Sequence, residues 1–144
     1  MPKGTATCNN FLKLLYNATA WADVAENDSS SPLTDISVAL ATASYSGSST
    51  LASNEATYTN YARQDVARTT SGWTAASGGQ TTNVAAIEYP QCGASGNTIT
   101  SAATGKAGGG AAEVFHYGDL NASIAVSNQI QPRFPIGAVT ITET

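Results

Sequence analysis

His116 is the only histidine of the chain, and histidine is a residue type that can take part in catalysis. A catalytic triad requires a histidine that a carboxylate orients beside a nucleophilic side chain. Asp119 lies close in sequence, but no serine stands nearby in a Gly-x-Ser-x-Gly elbow. Because Phe115 and Tyr117 flank the histidine in a strand-like segment, the sequence predicts a hydrogen-bonded structural histidine.

Gly105-Lys106 has the Gly-Lys pair of a nucleotide-binding phosphate loop. That loop also requires an earlier glycine and a serine or threonine directly after the lysine. The chain has Thr100 and Ala107 at these two positions, so a hydroxyl ligand for magnesium is missing. We therefore interpret residues 104–110 as a flexible glycine-rich loop.

The acidic residues and the two cysteines do not form a metal-binding motif. Asp23, Glu26 and Asp28 lie close together, but the Asp/Asn alternation and the glycine of a calcium loop are missing. Cys8 and Cys92 are far apart and match no zinc spacing. We predict two buried free thiols, with a single disulfide as the alternative.

Several aromatic residues are candidates for a carbohydrate-binding platform, although core packing is the favoured interpretation. They are Trp21, Trp73, Tyr58, Tyr61, Tyr89 and Tyr117. In an extended segment Tyr61, Arg63 and Asp65 share one face, which predicts contacts to neighbouring strands or subunits. The sequence thus predicts no catalytic, cofactor-binding or metal-binding residue, and a protein that is not an enzyme.

The composition restricts the possible partners of the chain. Its 144 residues carry a net charge of −4, and only 11% of them are charged, which is an unusually low share. There is no basic run for nucleic acid and no apolar stretch that could span a membrane. The first residues lack the apolar run of a signal peptide, so we expect synthesis in the cytoplasm. Low charge favours a protein that works inside an assembly.

One helix is predicted near the start of the chain. Phe11, Leu12, Leu15 and Tyr16 follow helical spacing, and Asn9 is a candidate N-cap. Residues 1–7 have no pattern, so we predict an N-terminal arm that is ordered only against a neighbour. Residues 8–144 are predicted to form a single domain.

The remaining chain is predicted to form short strands separated by turns. Ile36, Val38 and Leu40 alternate with small residues, which predicts a half-buried strand, and Gly78-Gly79 predicts a hairpin turn after Trp73. Further strands are predicted at 82–89, 97–102, 112–118, 123–126 and 137–142, with a turn at Gly118-Asp119. About eight short strands indicate an all-β fold, an antiparallel β-sandwich with one short N-terminal helix and the jelly roll as candidate topology.

The order of these features resembles a family of small tailed-phage virion proteins, usually described as tail-fibre or capsid-decoration proteins. The resemblance covers residues 9–142 and departs in the glycine-rich loop 105–110. It rests on the helix 11–15, the strand 36–42, the segment 61–64, Trp73, the segment 102–105, Gly118-x-Leu120-x-x-Ser123 and Gly137-x-Val-Thr-Ile141.

This resemblance implies a β-sandwich that attaches to a virion. We expect a capsid cement or decoration protein on the capsid exterior, with the major capsid protein as its partner and a homo-oligomer (dimer or trimer) as its form. A tail or tail-fibre component, with tail proteins as partners, is the first alternative. A carbohydrate- or host-surface-binding module is the second.

Overall fold

The computed structural model describes residues 3–21 and 32–144, which form one helix and eight strands. The elements are α1 (Thr5–Tyr16), β1 (Asp35–Ala41), β2 (Gln64–Ala67), β3 (Gln80–Thr82), β4 (Ile87–Glu88), β5 (Thr98–Lys106), β6 (Val114–Ala125), β7 (Arg133–Phe134) and β8 (Thr140–Thr142). This confirms the predicted β-rich class with one short N-terminal helix. The jelly-roll topology stays a prediction.

The strands form three sheets. The largest has the order β2-β1-β5-β6, and the pairs β3-β8 and β4-β7 form the other two. The pairs β1-β5, β5-β6 and β3-β8 are all antiparallel, as the short connections predict.

The chain divides into two compact units. Unit 1 contains the described residues of Met1–Thr34, Val66–Ile87 and Phe134–Thr144, and unit 2 contains Asp35–Asp65 and Glu88–Arg133. The single domain predicted for residues 8–144 stays a prediction.

Helix α1 belongs to unit 1 and begins earlier than its sequence pattern predicts. It starts at Thr5 with Gly4 at the N-cap position, inside the segment that was predicted to be an arm. The predicted N-cap Asn9 lies within the helix, where its Oδ1 accepts a hydrogen bond from the Gly79 N–H at 2.5 Å. Lys3 pairs with Glu143, so residues 3–7 are held by their own chain.

The buried stripe of α1 begins at Cys8, whereas the predicted stripe begins at Phe11. Cys8, Leu12 and Tyr16 are buried, whereas Phe11 is 38% exposed. The Tyr16 ring packs edge-on against Trp73 at a centroid distance of 4.9 Å. Cys8, Leu12 and Tyr16 follow i, i+4 spacing, so the Cys8 side chain belongs to the apolar face. This fits because free cysteine behaves as a small apolar residue.

The hairpin predicted at Gly78-Gly79 is confirmed in unit 1. Ser77 and Gln80 exchange two backbone hydrogen bonds of 3.0 and 3.1 Å. Both glycines have positive φ, 61° and 75°, as a two-residue type I′ turn requires.

Unit 2 contains β1, β5 and β6, and three predictions about them are wrong. Strand β1 is buried on both faces from Ile36 to Ala41 rather than half-buried, because its small residues Ala39 and Ala41 belong to a core cluster with Tyr45 and Leu51. Strand β5 continues to Lys106, where a loop was predicted. Strand β6 runs through Gly118-Asp119, where a turn was predicted, and joins two predicted strands into one.

Candidate assembly surfaces

The residues that could do chemistry are incorporated into the sheets. His116 lies in β6, half-buried and opposite Thr104, whose Oγ1 donates to the His116 carbonyl at 3.5 Å. Within residues 3–21 and 32–144, no three His, Cys, Asp or Glu side chains come together as a metal site would require. Asp23, Glu26 and Asp28 lie outside the described residues.

The Gly-Lys pair serves packing in β5. An added Cβ at Gly105 would lie 2.2 Å from the Glu113 carbonyl oxygen and 2.9 Å from Leu51 Cδ1. The glycine is therefore required by the approach of a neighbouring backbone, which differs from the phosphate-contacting role of a nucleotide-binding loop.

The aromatic side chains do not form a platform. Trp73 is fully buried, Tyr58 and Tyr89 are 2% and 1% exposed, and the described Trp21 and Tyr61 are partly buried. Of this set, Tyr117 is the exposed side chain, at 49%. Core packing therefore explains the buried members of this set, as the favoured interpretation of the sequence predicts.

Both cysteines are buried free thiols, as predicted. Cys92 Sγ donates to the Ser95 carbonyl at 3.3 Å in unit 2, and Cys8 lies on the buried face of α1 in unit 1.

The segment 61–65 is a structural clamp of unit 2. The Tyr61 hydroxyl accepts a hydrogen bond from the Leu40 N–H at 3.0 Å, and Ser37 donates to Asp65 at 2.5 Å. Burial raises the pKa of Tyr61 well above its usual range, so this phenol stays neutral and acts as a hydrogen-bonding group. The predicted shared face of Tyr61, Arg63 and Asp65 thus holds neighbouring segments together.

Arg63 fixes the glycine-rich loop through its planar guanidinium group. Nε and Nη2 donate to the two carboxylate oxygens of Glu55, both at 2.7 Å. Nη1 donates to the Gly108 carbonyl at 3.0 Å, and Nη2 to the Gly110 carbonyl at 2.7 Å. Hydrogen bonding to Glu55 raises the pKa of Arg63, which keeps the charge in place. The loop that the sequence predicts to be flexible is therefore tied down.

Replacing Arg63 with alanine should release this loop. We expect the ¹⁵N order parameter of Gly109 to fall from about 0.85 to below about 0.6, the value of a flexible backbone. Arg63→Lys keeps the charge but lacks the planar guanidinium group that reaches Glu55 and both glycine carbonyls. An intermediate order parameter of Gly109 is therefore expected. An order parameter that is unchanged in both variants would show that the loop does not depend on Arg63.

An uncharged patch on unit 1, called here the Ile136 patch, is a candidate assembly surface. Ile136 is 71% exposed, the most exposed large apolar side chain of the described residues, and Val84 is 37% exposed. The patch consists of exposed apolar residues: Val84, Ala85, Ala86, Pro135, Ile136 and Ala138.

A buried amide holds the Ile136 patch in shape. Asn83 is 1% exposed, and its Nδ2 donates to the carbonyls of Ala85 at 2.7 Å and Pro135 at 2.8 Å. The turn closes through an Ala138 N–H to Pro135 carbonyl bond of 3.1 Å, with Gly137 at φ 72°. A glycine of positive φ at the third position is what a type II turn requires, and it places Ile136 at the tip.

Sequence reasoning missed this patch. The signal available was proline followed two residues later by glycine, which is a turn pattern. The alternation after Gly137 predicts a strand that begins at this glycine, whereas β8 begins at Thr140.

The second candidate surface is β6 itself, in unit 2. It stands at the end of the sheet order β2-β1-β5-β6 and pairs with β5. All 12 of its residues are exposed or half-buried. A long edge strand of this kind offers backbone groups for pairing with another chain.

Comparison with known proteins gives one family match. A family model described as "Podophage GP4 fiber I protein gp80" matches residues 13–142. No curated protein matches the chain. In the part of the chain that the structure describes, no helix has the length and apolar character needed to cross a membrane.

Proposed function

Since this chain belongs to the podophage GP4 fiber I protein gp80 family, we propose that it is a non-enzymatic subunit of a phage tail-fibre assembly. The family makes it a structural protein of a phage virion, as the resemblance seen in the sequence implied. The word fibre in the family description supports the tail as its location. Its partners in this proposal are neighbouring tail proteins.

The Ile136 patch is the observation that carries this proposal. Exposed apolar patches with a polar surround are typical of surfaces that bind another protein. The patch is rigid because Asn83 and the Gly137 turn fix its backbone, so little conformational freedom is lost on docking. Its chemistry fits an uncharged apolar pocket on the neighbouring tail protein.

Attachment in this proposal works through mass action. A protein that binds an assembled neighbour but not its loose form stabilises the assembly by its binding free energy. Full burial of one isoleucine side chain contributes about 1.5–3 kcal/mol. Ile136 alone therefore accounts for roughly ten- to hundredfold in affinity.

Decoration of the capsid exterior is the second candidate function, with the major capsid protein as partner. The low share of charged residues, 11%, favours it as much as a tail location, because both environments bury surface between protein subunits. The host-surface-binding alternative loses support because Trp73, Tyr58 and Tyr89 are buried.

Replacing Ile136 with aspartate should reduce the occupancy of the protein on purified virions at least about tenfold, since a carboxylate would enter an apolar pocket unpaired. Quantitative mass spectrometry of particles complemented with each variant measures the occupancy. Ile130→Asp is the matched control, because Ile130 is also exposed, at 42%, but lies in unit 2 outside the patch.

Cryo-electron microscopy of the wild-type particle decides between the two locations. Density for this chain on the tail supports the tail-fibre proposal, and density over the capsid lattice supports decoration. Unchanged occupancy of Ile136→Asp would show that the patch does not mediate attachment.

A further inference from the structure

Strand β6 is long and leaves one backbone edge available. It has 12 residues and pairs with β5 on one side. Among the described residues no strand pairs with its other side in the sheet order. Near its start Leu51 N–H donates to the Ala112 carbonyl at 2.9 Å, so the available edge begins at Val114.

The edge of β6 lacks the lysines and prolines that often prevent pairing with other chains. Edge strands of monomeric proteins usually carry lysine, proline or inward charges. Residues 114–125 contain no lysine, arginine or proline, and Asp119 is their one carboxylate. A strand of this composition is suited to pairing.

We propose that β6 pairs antiparallel with β6 of a second copy of this chain, about a two-fold axis at Tyr117. Two four-stranded sheets would then join into one continuous sheet. This inference is independent of the proposed function, because it rests on unit 2 and uses no residue of the Ile136 patch.

Symmetry limits the possible registers. A two-fold axis normal to the sheet leaves each side chain on the same face of the sheet in both copies. The axis must therefore lie beside a residue that pairs with the same residue of the second copy. Centring on Asp119 would oppose two carboxylates, and centring on His116 would oppose two imidazoles, which repel when protonated. Centring on Gly118 would oppose two residues without side chains and bury little.

Centring on Tyr117 gives a complementary set of cross-strand pairs. Tyr117 faces Tyr117 of the second copy, an aromatic pair of the kind that stabilises sheets. His116 faces Gly118, which leaves room for the imidazole. Asp119 lies opposite the segment around Phe115, which carries no charge, so no like charges are opposed. Residues 116–119 pair with β5 in continuous register, and the two irregularities of the β5-β6 pairing fall outside them, between Val114 and His116 and between Asp119 and Ile124.

Tyr117 is supported from within its own unit. Its ring lies 6.3 Å from the ring of Tyr45, which is 6% exposed and belongs to the core cluster of unit 2. Nearly half of the Tyr117 side chain is still exposed. A core residue thus positions an aromatic side chain that pairing with a second copy would cover.

A charge-exchange experiment tests both the surface and the register. Tyr117→Lys and Tyr117→Glu each place like charges opposite each other at the axis, so each variant alone should be monomeric by native mass spectrometry, while the wild type is dimeric. An equal mixture of the two should restore dimers that contain one copy of each. Far-UV circular dichroism verifies that both variants fold, and Ile136→Asp is the control that should stay dimeric.

Three outcomes contradict the proposal. A monomeric wild type shows that β6 does not pair with itself, and dimers that persist in both single variants place the interface elsewhere. Monomers that remain in the mixture exclude the register centred on Tyr117. Loss of virion occupancy in Ile136→Asp with an intact dimer would separate attachment from self-association.

Discussion

Replacing Arg68 with alanine is expected to lower the free energy of unfolding by about 3–5 kcal/mol, the largest effect of a single side chain in unit 1. Arg68 is only 8% exposed. Its Nε donates to the Leu15 carbonyl at 2.6 Å, its Nη1 to the Leu33 carbonyl at 3.0 Å and its Nη2 to the Leu14 carbonyl. Denaturant unfolding followed by tryptophan fluorescence measures the change.

The magnitude follows from the position of these acceptors. Leu14 and Leu15 lie in the last turn of α1, where carbonyl groups have no partner within the helix and the helix dipole is negative. A guanidinium group satisfies them and places a positive charge where the dipole favours it. Burial lowers the pKa of Arg68, but a guanidinium stays protonated at neutral pH. Alanine would leave several part-buried acceptors without this donor.

Two controls separate the cap from a general effect of charge. Arg133→Ala removes an arginine whose side chain is 61% exposed and whose Nη1 lies 4.0 Å from Glu88 Oε1. The free energy of unfolding should therefore fall by no more than about 0.5 kcal/mol. Arg68→Lys keeps the charge but reaches fewer carbonyls and should fall between the two. Equal stability of Arg68→Ala and Arg133→Ala would contradict the capping role.

Replacing Gly105 with alanine should destabilise unit 2 by about 3 kcal/mol, at the upper end of the range for overpacking. The new Cβ would meet the Glu113 carbonyl oxygen at 2.2 Å, a distance that only a backbone shift can relieve. The Lys106 N–H donates to the same carbonyl at 2.9 Å, so the shift would also disturb the β5-β6 pairing. Thermal unfolding and the soluble yield of the variant measure the effect.

Gly109→Ala is the matched control in the same glycine-rich stretch. No atom lies within 4 Å of a Cβ at Gly109. Its expected change is within about 0.5 kcal/mol, as for a surface substitution away from special features. If both glycines tolerate alanine equally, the close approach of the Glu113 backbone to Gly105 does not constrain the sheet.

Local sequence patterns determined the class of the fold. Alternation at Ile36, Val38 and Leu40 predicted β1, and Gly78-Gly79 predicted a hairpin whose positive φ angles the structure has. These features depend on side-chain period and on the permitted φ of glycine, which act within a few residues. The absence of a catalytic motif likewise rested on residue types alone, and the non-enzymatic role remains a proposal.

Long-range packing decided what local patterns could not. Gly105 looks like a loop residue in sequence, but its pairing with Ser37 of β1, which is distant in the chain, makes it part of β5. Gly118-Asp119 resembles a turn, yet pairing with β5 keeps β6 extended there. Arg68 shows no pattern at all in sequence, since its acceptors lie more than 30 positions away. Register and burial depend on such distant partners.

The residues that could do chemistry show the same division. Residue types alone marked His116, the Gly105-Lys106 pair and Arg63 as the positions to test, and they excluded the motifs that would have made them sites. Only the tertiary structure showed that Arg63 reaches the carbonyls of Gly108 and Gly110 and that Ile136 stands at the tip of a rigid turn. Exposure is a property of the packed chain, because it depends on which other residues cover a side chain.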